Sequence, residues 1–366
     1  MANLELVGAL DQLERERGID KEALLSAIEA ALVAAYRRNF GSAQNVMVEV
    51  DRTSGSIKVL AVKTVVESVQ DTSLEISLEK AVEIDSEAQV ADEIEVEVTP
   101  TDFGRIATQT AKQVVLQRIR EAERGVIYDQ FVNRQGEIVT GTVRRVQART
   151  AYVDLGRTEG ILPPSEQIPR EYYRHGERIR VYILEVKKTT KGPQVILSRS
   201  HPGLVRRLFE LEVPEVFDGT VEIRDVAREA GARTKIAVSS RDENVDAVGS
   251  CVGHRGMRVQ AVVNELRGER IDVIHWSRDS EEYVRNALSP AKAVSVVVDE
   301  DEGAAEVVVP DNQLSLAIGR EGQNARLAAK LTGLRIDIKS ESQYEQDSDV
   351  VEFEAQAPSG EDSLEP

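Results

Sequence analysis

Residues 251–274 read CVGHRGMRVQAVVNELRGERIDVI, and residues 317–340 read AIGREGQNARLAAKLTGLRIDIKS. Each stretch holds two glycines three apart, an amphipathic run, another glycine, and a short strand with an aspartate inside it. Gly253 and Gly319 are 66 residues apart, so a unit of about that length occurs twice. Two strand candidates precede each copy: GTVEIRDVAREAG (219–231) and RTKIAVSS (233–240), then KAVSVVVDE (292–300) and AAEVVVP (304–310). Both units therefore run strand, strand, helix, GxxG, helix, strand. Between them DSEEYVRNALSP (279–290) reads as a short helix stopped by Pro290.

One GxxG is short and common, and its first glycine is usually a helix C-cap. Duplication in a matched context is what gives this pair meaning. Without Cβ atoms the glycines let the backbone of another molecule come close. The helix that follows turns N–H groups toward the same gap, which favours an anion. A sugar-phosphate chain suits both features. The candidate contacts are Gly253, His254, Arg255, Gly256 and Arg258 in the first copy. In the second they are Gly319, Arg320, Glu321, Gly322, Gln323, Asn324 and Arg326, with Glu321 opposing an anion. Val259, Val262, Val263 and Leu266 form the stripe by which the first copy's second helix packs.

Upstream, residues 134–200 have a different texture. GEIVTGTVRRV, TAYVDLG, EGILP, RIRVYILEV and QVILSR are five short alternating strand candidates separated by glycine or proline. Five such strands in so short a span predict a small closed barrel, because closure removes exposed edges. Before the barrel, Asp20 caps a helix with apolar positions Leu24, Ile28, Ala31, Leu32 and Ala35, and Gly41 ends it. NVMVEVDRTSGSIKVLAV reads as two strands about a turn, and DEIEVEVTP as a third. A long helix follows from residue 102, with Ala111, Val115, Ile119, Ala122 and Val126 as its stripe. The N-terminal segment is thus an α+β unit ending in a connecting helix.

The whole chain has 366 residues and a net charge of −18, which by itself argues against nucleic acid. The distribution reverses that argument. Residues 1–133 hold 14 basic and 24 acidic side chains, whereas residues 134–200 hold 13 and 7. The last 26 residues hold nine acids and no base, a composition that predicts disorder. Phosphate binding depends on the local field, so a basic segment between acidic ends is compatible with it. No apolar run approaches the roughly 18 residues of a membrane span, and the start lacks a signal-peptide pattern. The single cysteine, Cys251, fits a reducing compartment, so the expected location is cytoplasmic.

The repeated units resemble the KH module in its bacterial, type II arrangement. The resemblance implies that each loop clamps about four nucleotides of single-stranded nucleic acid. Residues 134–200 resemble the S1-type OB barrel, punctuated by VDLG, EGILPPSE and ILSR. Such barrels stack bases on aromatics in a basic groove. Here Arg149 and Tyr152 stand where two aromatics are common, and Pro163 where a histidine often precedes Ser-Glu. Binding by the barrel is therefore expected to rest on Arg144, Arg145, Arg149 and Tyr152.

The order of modules, together with DFGRIATQTAKQVVLQRIREAER and AIEAALVAAYRRNFG, is similar to the NusA family of bacterial transcription elongation and termination factors over roughly residues 1–340. The implied organisation is an α+β multidomain chain. It comprises a polymerase-binding domain (1–133), an S1 barrel (134–200), a first KH domain (201–278), a second (279–345) and an acidic disordered tail (346–366). The implied partners are core RNA polymerase, docked beside its RNA exit channel, nascent single-stranded RNA and further antitermination factors, with this chain a monomer. The alternative is an RNA-binding protein of the ribosome or of ribosomal-RNA maturation.

Enzymatic readings are weaker. GSCVG (249–253) imitates a nucleophile elbow, yet a helix entry precedes it and Ala317 stands at the second copy's equivalent of Cys251. His175, His201, His254 and His275 lack metal-ligand spacing, and no P-loop motif occurs. Phosphorolytic exoribonucleases also join KH and S1 modules, but 133 leading residues cannot hold their two catalytic domains. No cofactor, metal or catalysis is expected.

Overall fold

A computed structural model describes residues 2–40 and 45–346, the side chains of residues 2–6 excepted. The expected helix end at Gly41 and residues 347–366 of the expected tail lie outside the described residues. The chain divides into two compact units, residues 1–129 and residue 130 onward.

The first unit begins with helices α1 (Ala2–Arg17) and α2 (Lys21–Phe40). The Asp20 carboxylate accepts the Ala23 N–H at 3.1 Å and so starts α2. Strands β1 (Val46–Val50) and β2 (Ile57–Val66) form an antiparallel hairpin. Asp51 bends its turn by accepting the N–H groups of Thr53 and Ser54. Strand β3 (Glu75–Ser77), helix α3 (Leu78–Ile84) and strand β4 (Glu93–Glu97) follow, with β3 and β4 both paired to β2. Helix α4 (Phe103–Val132) closes the unit. Its expected apolar stripe needs correction. Phe103, Ala107, Ala111 and, near the helix end, Phe131 are buried; Val115, Ile119 and Ala122 are half-buried, and Val126 is 60% exposed. The core formed by Leu24, Leu25, Ile28, Val48 and Val59 reaches only to about Val115, so later apolar residues have nothing in this core to cover them.

The second unit opens with the barrel: β5 (Ile138–Gln147), β6 (Thr150–Asp154), β7 (Glu159–Leu162), β8 (Arg178–Thr189) and β9 (Gly192–Ser198). The strands close in the order β5-β6-β7-β9-β8 around Val143, Val153, Leu162, Val181, Ile183 and Leu197. Helices α5 (Pro202–Glu212) and α6 (Pro214–Phe217) lead into β10 (Val221–Glu229), β11 (Arg233–Ser240), α7 (Ala247–Val252), α8 (Met257–Glu265) and β12 (Arg270–His275). Helix α9 (Ser280–Ala287) then precedes β13 (Ser295–Asp299), β14 (Ala304–Val309), α10 (Leu314–Ile318), α11 (Gln323–Thr332) and β15 (Arg335–Ser340). In each half the first two strands are antiparallel and the last pairs parallel with the middle one.

Each repeat holds one element more than the strand, strand, helix, GxxG, helix, strand pattern, because a helix precedes each strand pair. Helix α9 is no connector: Tyr283, Val284, Ala287 and Leu288 pack with Leu327, Ala328 and Leu331 of the second half. Its counterpart α5 buries Leu204, Val205, Leu208 and Phe209 in the first half. The three modules share apolar surface. Ile168 of the barrel lies in the first half's core, and Ala227, Ala237 and Ile274 of the first half lie in the second's.

Candidate nucleic-acid interface

The first loop is built between two helix ends. Asp246 caps α7 by accepting the Val248 N–H at 3.1 Å. The helix stops at Gly253 (φ +73, ψ 175), Arg255 takes φ +52, and Gly256 takes φ +77, ψ 13 before α8 starts. The second loop repeats these angles: Gly319 at +76, 169, Glu321 at +57, 25, and Gly322 at +74, 13. Two sequences that differ at both middle positions, His-Arg against Arg-Glu, thus form one backbone. Arg255 and Glu321 hold a left-handed conformation that costs a non-glycine residue about 1–2 kcal/mol. In each loop the second glycine's N–H donates to the first glycine's carbonyl, at 3.1 Å and 3.2 Å. Those N–H groups are therefore spent on the turn and are not offered to an anion.

The two glycines of each pair have different surroundings, which corrects the expectation that both open outward. A Cβ on Gly253 would lie 2.7 Å from Cγ of Arg258, and one on Gly319 would lie 2.8 Å from Cβ and N of Asn324. In each copy the residue five positions on fills the space beside the first glycine. At Gly256 the nearest atom to such a Cβ is Val259 Cγ1 at 3.9 Å, and at Gly322 it is Arg326 Nη1 at 4.0 Å. Only the second glycines face open space.

Two expected contacts, Arg258 and Asn324, turn inward for the same reason, and two more, Gln323 and Arg326, are engaged by a carboxylate. Arg258 donates from Nη1 to the Ser250 carbonyl at 2.7 Å and to Glu215 Oε2 at 2.9 Å. Asn324 is fully buried, its amide donating to the carbonyls of Leu288 (2.9 Å) and Ala317 (3.0 Å). It ties α9 and α10 to the loop and is not a surface residue, because a polar side chain in the first turn of α11 is needed there to satisfy two helix-end carbonyls. Gln323 and Arg326 both reach back to Glu229 on β10, at 2.9 Å and 2.6 Å. The Arg326 guanidinium holds the Glu229 carboxyl below the usual carboxylate range. His254, Arg255, Arg320 and Glu321 remain exposed, the last two as a pair at 3.6 Å.

On the barrel, Arg144 is bound to Asp154 (2.7 Å) and Arg145 to Glu159 (2.8 Å). Asp154 raises the pKa of Arg144 by hydrogen bonding, and Arg144 lowers that of Asp154. The Arg145 guanidinium also lies 4.2 Å from the centre of the Tyr152 ring. One face of the Tyr152 ring is therefore already covered by a cation. Arg149 sits at the β5–β6 turn with φ +64, and its carbonyl accepts from Gln167.

Sequence reading did not anticipate the buried ionic joint between barrel and first half. Arg199, 1% exposed, binds Glu171 at 2.6 Å and Glu265 on α8 at 3.3 Å. Within the first half itself, Arg228 and Glu269, equally buried, pair at 2.9 Å. Breaking such a pair leaves an uncompensated buried charge, at a cost of about 3–5 kcal/mol. Cys251 is buried, and that burial pushes its thiol up to about 12, the opposite of what a nucleophile requires. Among the described residues no group of three or more His, Cys, Asp or Glu side chains is placed to hold a metal ion, and no helix is long and apolar enough to cross a membrane.

Known proteins match this architecture along the chain. Residues 5–125 match the NusA N-terminal domain, 133–199 the S1 RNA binding domain, 199–276 the NusA-like first KH domain, and 280–346 the NusA-like second KH domain. The transcription termination/antitermination protein NusA of Bacillus subtilis is 61% identical over 338 residues, covering 92% of this chain and 91% of that protein. Its counterpart from Halalkalibacterium halodurans is 60% identical over 344 residues, covering 94% and 90%. The solution structure of the B. subtilis NusA N-terminal domain is 60% identical over 34% of this chain and 99% of its own, with a TM-score of 0.31. On this identity and coverage the chain belongs to the NusA family of transcription termination/antitermination proteins, and it carries that family's RNA-binding S1 and KH domains.

Proposed function

We propose that this chain works as a non-catalytic tether: the N-terminal unit docks on core RNA polymerase near the RNA exit channel, and the S1-KH-KH body holds the emerging transcript. The observation that carries the reading is the pair of loops with matching backbones, each leaving its second glycine open beside exposed His254 and Arg255 or Arg320. Weak contacts add up when the RNA is confined near them, because confinement raises the effective concentration. Holding the transcript in this way biases hairpin formation, and so pausing, termination and antitermination. The chain acts as a monomer in the cytoplasm, joined by further antitermination factors.

The first unit supports docking on a basic surface. Around α3, Glu83, Asp85, Glu87, Glu93 and Glu95 are exposed together with Val82, Ile84 and Val90. Acidic groups around exposed apolar side chains suit a partner that is both basic and apolar. The test is co-purification of the full chain with core polymerase. Reversing charge at Glu83 and Asp85 to lysine is expected to release polymerase and leave RNA affinity unchanged, whereas Gly256→Asp is expected to do the converse. Failure of the wild-type chain to co-purify with polymerase, together with its retention on ribosomal RNA, would replace this reading with the ribosomal one.

A further inference from the structure

The loop between β7 and β8 carries arginines at 170 and 174 around the aromatic pair Tyr172 and Tyr173. Together with Val146 and Arg149 of the β5–β6 hairpin, this loop lines an open groove of about 710 Å³. Pockets of roughly 300–1,000 Å³ hold small organic ligands, so one or two nucleotides fit. Tyr172 is 75% exposed and Val146 50%, so the groove has an apolar lining open to solvent. The charge in the groove is one-sided. Arg149, Arg170 and Arg174 are exposed, and among the described residues Arg149 and Arg170 have no carboxylate within salt-bridge distance. The single acid of the lining, Glu171, is neutralised from behind by Arg199 at 2.6 Å and Arg267 at 2.9 Å.

The groove is also rigid. Gln167 donates to the carbonyls of Arg149 (2.6 Å) and Leu162 (3.0 Å), joining its two walls. Tyr173 donates its hydroxyl hydrogen to Glu171 at 2.7 Å and accepts the Ile168 N–H. Arg267, just past α8, donates to the Tyr172 carbonyl at 3.2 Å. The backbone that carries Tyr172 is thus pinned from both sides while its ring stays in solvent. A fixed exposed ring among guanidinium groups is the arrangement that binds single strands by stacking plus phosphate contact.

We propose that this groove, and not the face of Tyr152, is the barrel's nucleotide site, with one base of single-stranded RNA stacked on Tyr172 and flanking phosphates held by Arg149, Arg170 and Arg174. The proposal rests on the RNA-holding function above and adds the place where the barrel takes part. The test uses the full chain and a fluorescein-labelled single-stranded RNA of about 20 nucleotides, long enough to span several sites of four or more nucleotides each. Tyr172→Ala is expected to weaken binding by about 5- to 150-fold, the loss of one stacked base, while Tyr172→Phe keeps the wild-type affinity. With 4-thiouridine in the RNA, ultraviolet crosslinking is expected to mark Tyr172. Wild-type binding with an unchanged Tyr172→Ala affinity and no crosslink at Tyr172 would overturn the groove alone. A wild-type chain that does not bind the RNA would overturn both the groove and the tethering function. Retention of an acidic peptide in the groove with RNA affinity unaffected by Tyr172→Ala would assign the site to a protein partner and overturn the proposal.

Discussion

Gly253 and Gly256 are three residues apart in one loop, yet substituting each with alanine should fail in a different way. At Gly253 the backbone (φ +73, ψ 175) lies where only glycine is comfortable, a cost of about 1–3 kcal/mol for another residue. The added methyl would also meet the stem of Arg258 at 2.7–3.1 Å. Moving that stem gives up the bond to Ser250 and a half-exposed pair with Glu215, another 1–2 kcal/mol or so. Gly253→Ala is thus expected to destabilise by about 2–5 kcal/mol. Gly256→Ala meets nothing closer than 3.9 Å, and its left-handed backbone sets the cost at about 1–2 kcal/mol. Trp276 is the only tryptophan and packs against the core shared by the two KH domains, so its emission during urea unfolding reports the loss of that core. Adding Arg258→Ala to Gly253→Ala should return the steric share, a coupling of about 1 kcal/mol, and leave the backbone share in place. In RNA anisotropy titrations Gly256→Asp should weaken binding about tenfold or more with the fold intact, whereas any effect at Gly253 should track unfolding. Equal stability of the two alanine variants, or no coupling between positions 253 and 258, would refute the division of labour.

The second loop makes a parallel prediction: Asn324→Ala removes two buried hydrogen bonds and orphans two carbonyls, so unfolding should become easier by about 2–4 kcal/mol. The folded variant should keep its RNA affinity, and a large affinity loss with unchanged stability would return Asn324 to the binding surface. Lys235 predicts a pH effect. Buried on β11, it donates to the Ser289 carbonyl at 2.6 Å, with Asp272 (3.4 Å) raising its pKa and Arg233 lowering it, and burial brings it down to about 8. Its burial penalty is present in full below pH 8. Between pH 8 and about 10.5 the unfolded chain still binds the proton that the folded chain has released, so stability rises with pH. Relative to Lys235→Met, the wild-type chain should gain about 3 kcal/mol across that window in urea titrations. A pH-independent difference between the two would contradict this.

Much of the architecture was legible because its signals are local. Alternation of apolar residues is enough to mark β5 to β9, since each strand shows one face to the barrel interior. The glycine at each helix end marks the two loops, since a backbone with φ near +75 favours glycine over other residues. Helices α5 and α9 were harder to place. Their apolar residues say that something is covered but not what, and only the folded chain shows that each caps its own three-stranded sheet. The small segment from β3 to α3 went unread because three residues of strand and seven of helix are too short for a period to stand out.

The amino-acid sequence alone settled the kind of molecule this is, through a doubled glycine loop and a basic barrel between acidic ends. It did not settle which side chains face outward. Arg258, Asn324, Arg326, Arg144 and Arg145 have the same chemistry as a residue that binds phosphate, and each is committed to a partner brought near by folding: Glu215, two helix-end carbonyls, Glu229, Asp154 and Glu159. Tyr152 and Tyr172 are likewise equivalent as text, and folding lays a guanidinium on one and leaves the other in solvent. The physical reason is range. Backbone conformation is decided by neighbours a few residues away, whereas the availability of a charge or a ring depends on groups up to about a hundred residues distant, which only the tertiary structure brings into contact.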